Sequence, residues 1–282
     1  MAELTTSATI SEGWVNGLQS LLSGEGKAVH VMVAIAAPAE VPEVRAALDA
    51  FVHDQRPKQR ERGNHLFSPD TVANTLFPAA FYRPSGEDAR HRLYQLHAEA
   101  QTVHGRRRQS ESYFDRLVRW PGRDGEVNQL EALVQRLQAE IGRRGPKSSA
   151  YEAGIAGPDD GEVLAAGQDG GDLRVQAPGL DPCYIGFPCL SHVSVTLHGG
   201  AIHLCALYRN QHFISRVYGN YLGLARIGQF VATEVGCELG EIACVATHAD
   251  AEIGTFGRRT LDELLATCEE ACEGRAAVDA HG

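Results

Sequence analysis

The chain has 282 residues, 43% of them hydrophobic, and a formal net charge of -10; this supports a folded core and excludes disorder over most of the length. Acidity of this size repels nucleic acid and anionic membranes at long range, so an anionic ligand would need a local group of arginines. Apolar runs such as residues 29–37 fall far short of the roughly 20 that cross a bilayer, and the amino-terminal stretch lacks the basic flank and apolar region of a signal peptide, so a cytoplasmic protein is expected.

In chain order, Ser11 can cap a first helix carrying Trp14, Leu18, Leu21 and Leu22, ended by residues 24–26 before an apolar strand over 29–35. A second helix is expected over 41–52, and the polar run 54–64 reads as a loop. Two more helices are expected around 88–103 and 126–141, the latter placing Val127, Leu130, Leu133, Val134, Leu137 and Ile141 on one face. Residues 154–182 are rich in Gly, Asp and Pro and read as an insertion or lid, with short elements expected at 161–166 and 173–176. Val193, Val195 and Leu197, the turn Gly199-Gly200, then Ile202, Leu204 and Ala206 predict a β-hairpin. A nearly all-apolar, buried helix follows over 220–235 with Gly236 at its end. The last helix, about 260–273, carries Leu261, Leu264, Leu265, Cys268 and Cys272 on one face behind a Thr260/Glu263 capping box.

The seven cysteines are an odd number without paired CxxC spacing, which argues against a disulfide framework and against a zinc ribbon; no metal is expected. Cys268 and Cys272, one helical turn apart, read as core.

Chemistry enters with residues 188–241. Pro188-Cys189, the hairpin, Leu207-Tyr208-Arg209 and Asn220 follow one another in the order and spacing that resemble the catalytic half of thymidylate synthases and the related pyrimidine hydroxymethylases. Glu238-Leu239-Gly240-Glu241 resembles that family's Leu-Glu-x-Gly-Asp. Arg119-Trp120-Pro121, Asp124-Gly125 and Gln129 resemble the segment before its phosphate-binding arginines. The resemblance covers about half of the chain. It implies a single α/β (α+β) domain over residues 1–282 with a mixed β-sheet, packed helices and one long buried helix.

The resemblance also implies roles. Cys189 would be the nucleophile, because a thiolate adding to the pyrimidine ring turns the neighbouring carbon into an enolate that attacks a one-carbon electrophile. Cys183 also follows a proline, but six residues too early. Arg209 would lower the thiol pKa and contact a phosphate. Asn220 would read the uracil edge, donating to a carbonyl and accepting from a ring N–H, unless it only caps its helix. Departures are marked: Asn210 and His212 replace the residues toward phosphate and pterin, His248 echoes the sugar-gripping histidine, and Lys27 alone stands where the early phosphate-binding Arg belongs. Arg143 and Arg144 fall near the arginine pair that crosses a dimer interface, whereas Arg106-Arg107-Arg108 reads as a solvated run. Glu99 is the nearest echo of the general base. The implied protein is a homodimer that uses methylenetetrahydrofolate to hydroxymethylate or methylate a uracil-type pyrimidine nucleotide or nucleoside, with hydroxymethylation favoured by the tail Asp279-Ala280-His281-Gly282 in place of an apolar one. The rival reading is a nucleotide-binding protein of the same fold with altered catalysis; a nucleic-acid module is disfavoured by the acidity.

Overall fold

The computed structural model describes residues 3–84, 88–104, 112–122, 125–141, 170–175 and 188–279. Arg106–Arg108, Asp124, Arg143, Arg144, Cys183 and most of the 154–182 stretch, including 161–166, lie outside the described residues. The architecture is mixed α/β, with a mixed sheet and packed helices, and the chain falls into two compact units: residues 1–73, 207–225 and 241–282, and residues 74–206 and 226–240.

In the first unit, β1 (Glu3–Ser7) runs parallel to β2 (Lys27–Ile35), and β2 runs antiparallel to β9 (Glu238–Asp250) in the register Lys27↔Asp250 to Ile35↔Ile242. A two-residue strand, β8 (Gln211–His212), adds to β9 in parallel. Helices α1 (Ile10–Ser23), α2 (Pro42–Glu61) and α9 (Arg258–Asp279) pack together, burying Trp14, Leu18, Leu21, Val44, Leu48, Leu261 and Cys268. The sequence reading leaves both β1 and β9 unassigned.

Helix ends depart from the sequence reading for local reasons. Thr9, not Ser11, caps α1, because Glu12 lies three residues after Thr9 and closes a capping box. Ser11 is instead fully buried, its hydroxyl sharing a hydrogen bond with Tyr218 (2.9 Å) and accepting one from the Val41 N–H (2.8 Å). The expected loop at 54–64 is mostly helix: α2 runs through Pro57 to Glu61, and its buried stripe Val44, Leu48, Val52, Gln55, Gln59 keeps helical period with glutamines in the last two places. Nor is Thr260 a cap; α9 begins at Arg258 behind Gly257, whose φ of +86° ends the short α8 (Ile253–Phe256).

The second unit holds the hairpin β6 (Leu190–His198) and β7 (Ala201–Tyr208), turned by Gly199 and Gly200 at positive φ, with β5 (Gly170–Arg174) antiparallel to β6. Its helices include α4 (Ala89–His104), α5 (Tyr113–Val118) and α6 (Gln129–Ile141). The expected helix start at 126 is displaced: β3 (Trp120–Gly122) pairs with β4 (Gly125–Val127), and Asn128 accepts the Glu131 N–H at 3.0 Å to open α6.

Inside this unit His97 Nε2 lies 2.7 Å from Asp115 Oδ1, with both residues buried, and Asp115 also accepts from the Ser112 N–H and Oγ. Burial by itself would raise the Asp115 pKa, but the His97 and Ser112 donors outweigh it and hold the carboxyl below its ordinary value. A depressed carboxyl pKa contributes stability above the unfolded value that is lost as pH falls through the folded one. Asp115→Asn is therefore expected to lower stability by about 1–3 kcal/mol at pH 7, with the gap to wild type closing below about pH 4. Thermal melts of both proteins across that range check this.

Helix α7 (Tyr218–Val235) begins in the first unit and ends in the second. It is nearly all buried, as expected for the long apolar helix, and it ends at Gly236 with φ +72°.

Candidate functional site

A wide, π-type turn over Phe213–Val217 leads directly into α7, so the helical run starts earlier than the sequence suggests. Asn220 consequently stands inside the helix and is not its cap. It is 5% exposed. One residue earlier, a Cβ on Gly219 would stand 2.5 Å from Val72 Cβ and 2.6 Å from the Pro69 carbonyl, so the helix backbone is seated directly against that segment. The Asn220 position is thus fixed by packing.

Helical N–H groups at the start of such a run need acceptors. His212 supplies no side-chain cap; the acceptor is Glu252, whose carboxylate takes the Ile214 N–H (3.0 Å), the Ser215 N–H (2.8 Å) and the Ser215 hydroxyl (2.9 Å). Glu252 adopts the left-handed region at φ +62°, uncommon for a residue with a Cβ. Burial pushes its pKa up, and the Ser215 and Ile214 donors, with His212 nearby, pull it back in part.

Three of the expected substrate-side residues meet in this unit. Asn210 Oδ1 lies 2.8 Å from His248 Nδ1, and Asn210 Nδ2 lies 3.1 Å from His212 Nε2. An amide has one donating and one accepting end, so it forces the two ring nitrogens into opposite roles. The adjoining Thr247 hydroxyl donates to the Arg209 carbonyl at 2.6 Å, which ties the end of β7 to β9.

His212 also lines a cavity of about 330 Å³ together with Glu25, Gly26, Lys27, Asp250, Glu252 and Thr255. Lys27 Nζ lies 3.4 Å from Asp250, and the Glu252 N–H donates to Asp250 Oδ1 at 2.6 Å. Glu252 had no local sequence signal, since its partners lie 37 and 38 residues away.

The remaining expected residues stand as follows. Cys189 is half-buried at the foot of β6 in the second unit, whereas Arg209, half-buried, and Asn220 belong to the first. Glu99 is exposed on α4 and accepts from Gln95 at 3.0 Å; the buried titratable group of that helix is His97. Among the described residues no group of three or more His, Cys, Asp or Glu side chains is placed to hold a metal ion, and no helix is long and apolar enough to cross a membrane.

No family model matches the chain. Over 131 residues, 46% of its length, the sequence is 21% identical to a protein of Methanocaldococcus jannaschii named "Putative thymidylate synthase". The chain spans about half the length of that relative, 50% of it. What the chain carries is therefore a distant, partial similarity to a protein of that name.

Proposed function

We propose that the protein is a thymidylate-synthase-like transferase, adding a one-carbon unit to the ring carbon of a uracil-type pyrimidine through a covalent adduct on Cys189. The observation that carries the reading is Asn220: a residue only 5% exposed, inside a helix that it does not cap. An amide carries a donor and an acceptor side by side, the complement of a ligand edge with one acceptor and one donor. The distant similarity and the ordered series Pro188-Cys189, Arg209, Asn220 support the same assignment.

In this reading the Cys189 thiolate adds to the ring carbon next to the one that reacts, and Asn220 holds the ring by its carbonyl and N–H. Arg209 supplies the cation that favours the thiolate. After the one-carbon unit has joined, the reacting carbon would lose its proton as the carrier's nitrogen leaves; water would then add to the resulting exocyclic methylene, or hydride in the methylating case, and the thiolate would leave. Methylenetetrahydrofolate would supply the carbon, with His212 at the pterin-side position, where its tie to Asn210 fixes its ring. Hydroxymethylation, a cytoplasmic setting and a homodimer with Arg143 and Arg144 reaching a neighbour's ligand belong to the same proposal; Glu99, given its exposure, is the weakest member of it.

A 5-fluoropyrimidine tests the covalent step, because fluorine cannot leave as a proton does and the adduct stalls. Denaturing mass spectrometry of the protein mixed with 5-fluorodeoxyuridine or its monophosphate, with methylenetetrahydrofolate, should show the added mass on the peptide containing Cys189. An unmodified protein that still binds the pyrimidine would instead favour a nucleotide-binding protein with altered catalysis.

A further inference from the structure

Within the first unit, the segment between α2 and α3 (Pro69–Leu76) is seated on the start of the long helical run. Leu66 is buried and its carbonyl accepts from Arg56 Nε at 3.0 Å; Pro69 is buried too, and its carbonyl lies directly against Gly219. Between these two anchors Phe67 keeps 40% of its surface exposed. Arg216 lies over it, the guanidinium carbon 5.2 Å from the ring centre, and the His65 ring lies 6.2 Å away at 23° to the Phe67 plane. A single exposed phenylalanine needs no explanation, but one stacked with an imidazole and a guanidinium makes a surface with its own chemistry. An arginine stacked on a ring uses the face of its guanidinium and keeps the N–H donors along its edge for an anion lying in the same plane. Ring and cation together suit a planar group that carries an anion.

Position narrows the class. Arg216 stands four residues after His212 and four before Asn220, about one turn or roughly 6 Å along the axis from the latter. A carbon donor must lie against the base, since a bond forms between them, whereas a phosphate is set apart from the base by the sugar. We propose that Phe67 and Arg216 form a binding site for an aromatic carboxylate, and that in the reaction they hold the benzoyl-glutamate part of the one-carbon carrier. The place in the reaction rests on the pyrimidine reading above; the affinity for an aromatic carboxylate does not. The ligand's ring packs on the exposed part of Phe67, its carboxylate takes the edge N–H groups of Arg216, and His65 widens the platform. Arg209 keeps the phosphate, so the two arginines divide the two anions between them.

The test uses the full chain and two readouts. Calorimetric titration should show p-aminobenzoyl-glutamate binding at least about tenfold more tightly than p-aminobenzamide, which lacks the carboxylates, or glutamate, which lacks the ring. Arg216→Gln should weaken that binding by at least about tenfold and Phe67→Leu by at least about threefold. Arg216→Lys should recover only part of the loss, because an ammonium offers neither the flat face nor the paired donors. Melting temperatures near that of the wild type show that binding is lost and not the fold. Phe67 is exposed enough for Phe67→Leu to carry the test should Arg216→Gln not fold.

In the one-carbon assay, KM for methylenetetrahydrofolate should rise by a like factor in both variants while KM for the pyrimidine stays within about twofold. Equal binding of the three small molecules, no binding of any, or unchanged binding in the folded variants would overturn the inference. So would a loss in Arg216→Gln confined to the pyrimidine monophosphate and absent for the nucleoside, which would give Arg216 to the phosphate. If transfer proceeds while the site fails these tests, the pyrimidine reading stands without it. If the aromatic carboxylate binds as stated and no pyrimidine reacts, it is the pyrimidine reading that fails.

Discussion

Cys189→Ser is expected to reduce one-carbon transfer by at least about a thousandfold while leaving the melting temperature nearly unchanged. Serine is close to cysteine in size, and Cys189 is half-buried, so little packing is lost. What disappears is the anion: a hydroxyl has almost none at neutral pH, whereas a thiol beside a cation has a workable fraction. Cys183→Ser is the matched control and should retain activity. Loss of activity there, with Cys189→Ser active, would move the nucleophile six residues upstream.

The second large effect concerns the base. In Asn220→Asp the carboxyl enters a site that is 5% exposed, where ionisation is costly and the protonated acid is favoured. Such a group can complement the exocyclic amine of cytosine and its ring nitrogen, but not the uracil edge that the amide matches. Because each mispaired buried group costs about 1–3 kcal/mol, the ratio of kcat/KM for uracil over cytosine substrates should shift by at least roughly tenfold. Had Asn220 been a helix cap, Asp would have served equally and the ratio would not move. Its place inside the helical run removes that bland alternative, so an unchanged ratio would mean that some other residue reads the base.

The parts of the fold legible in the sequence are those whose signal is local. Alternation of Val193, Val195 and Leu197 around Gly199-Gly200 marks β6 and β7, and the apolar run marks α7. Where a partner far along the chain decides, the sequence is silent. The true start of the helical run at Phe213 depends on Glu252, and the second half of α2 hides its period behind Gln55 and Gln59. The sequence reading gives the cap of α1 to Ser11, but Glu12 closes the box with Thr9 and Tyr218 shares the Ser11 hydroxyl. The same division runs through the candidate site. Order and spacing single out Cys189, Arg209 and Asn220, and chain folding alone joins His212 to His248 through Asn210 and sets Glu252 against Ile214 and Ser215.

The most direct measurement is the fate of the ring hydrogen. Uracil nucleoside and nucleotide labelled with tritium at the reacting carbon are incubated with the protein, with and without methylenetetrahydrofolate, and label in water is counted while mass spectrometry follows the pyrimidine. The account predicts release that requires Cys189, together with a pyrimidine gaining one carbon when the folate is present. Label retained on an unchanged pyrimidine under every condition, with the protein folded, would contradict it.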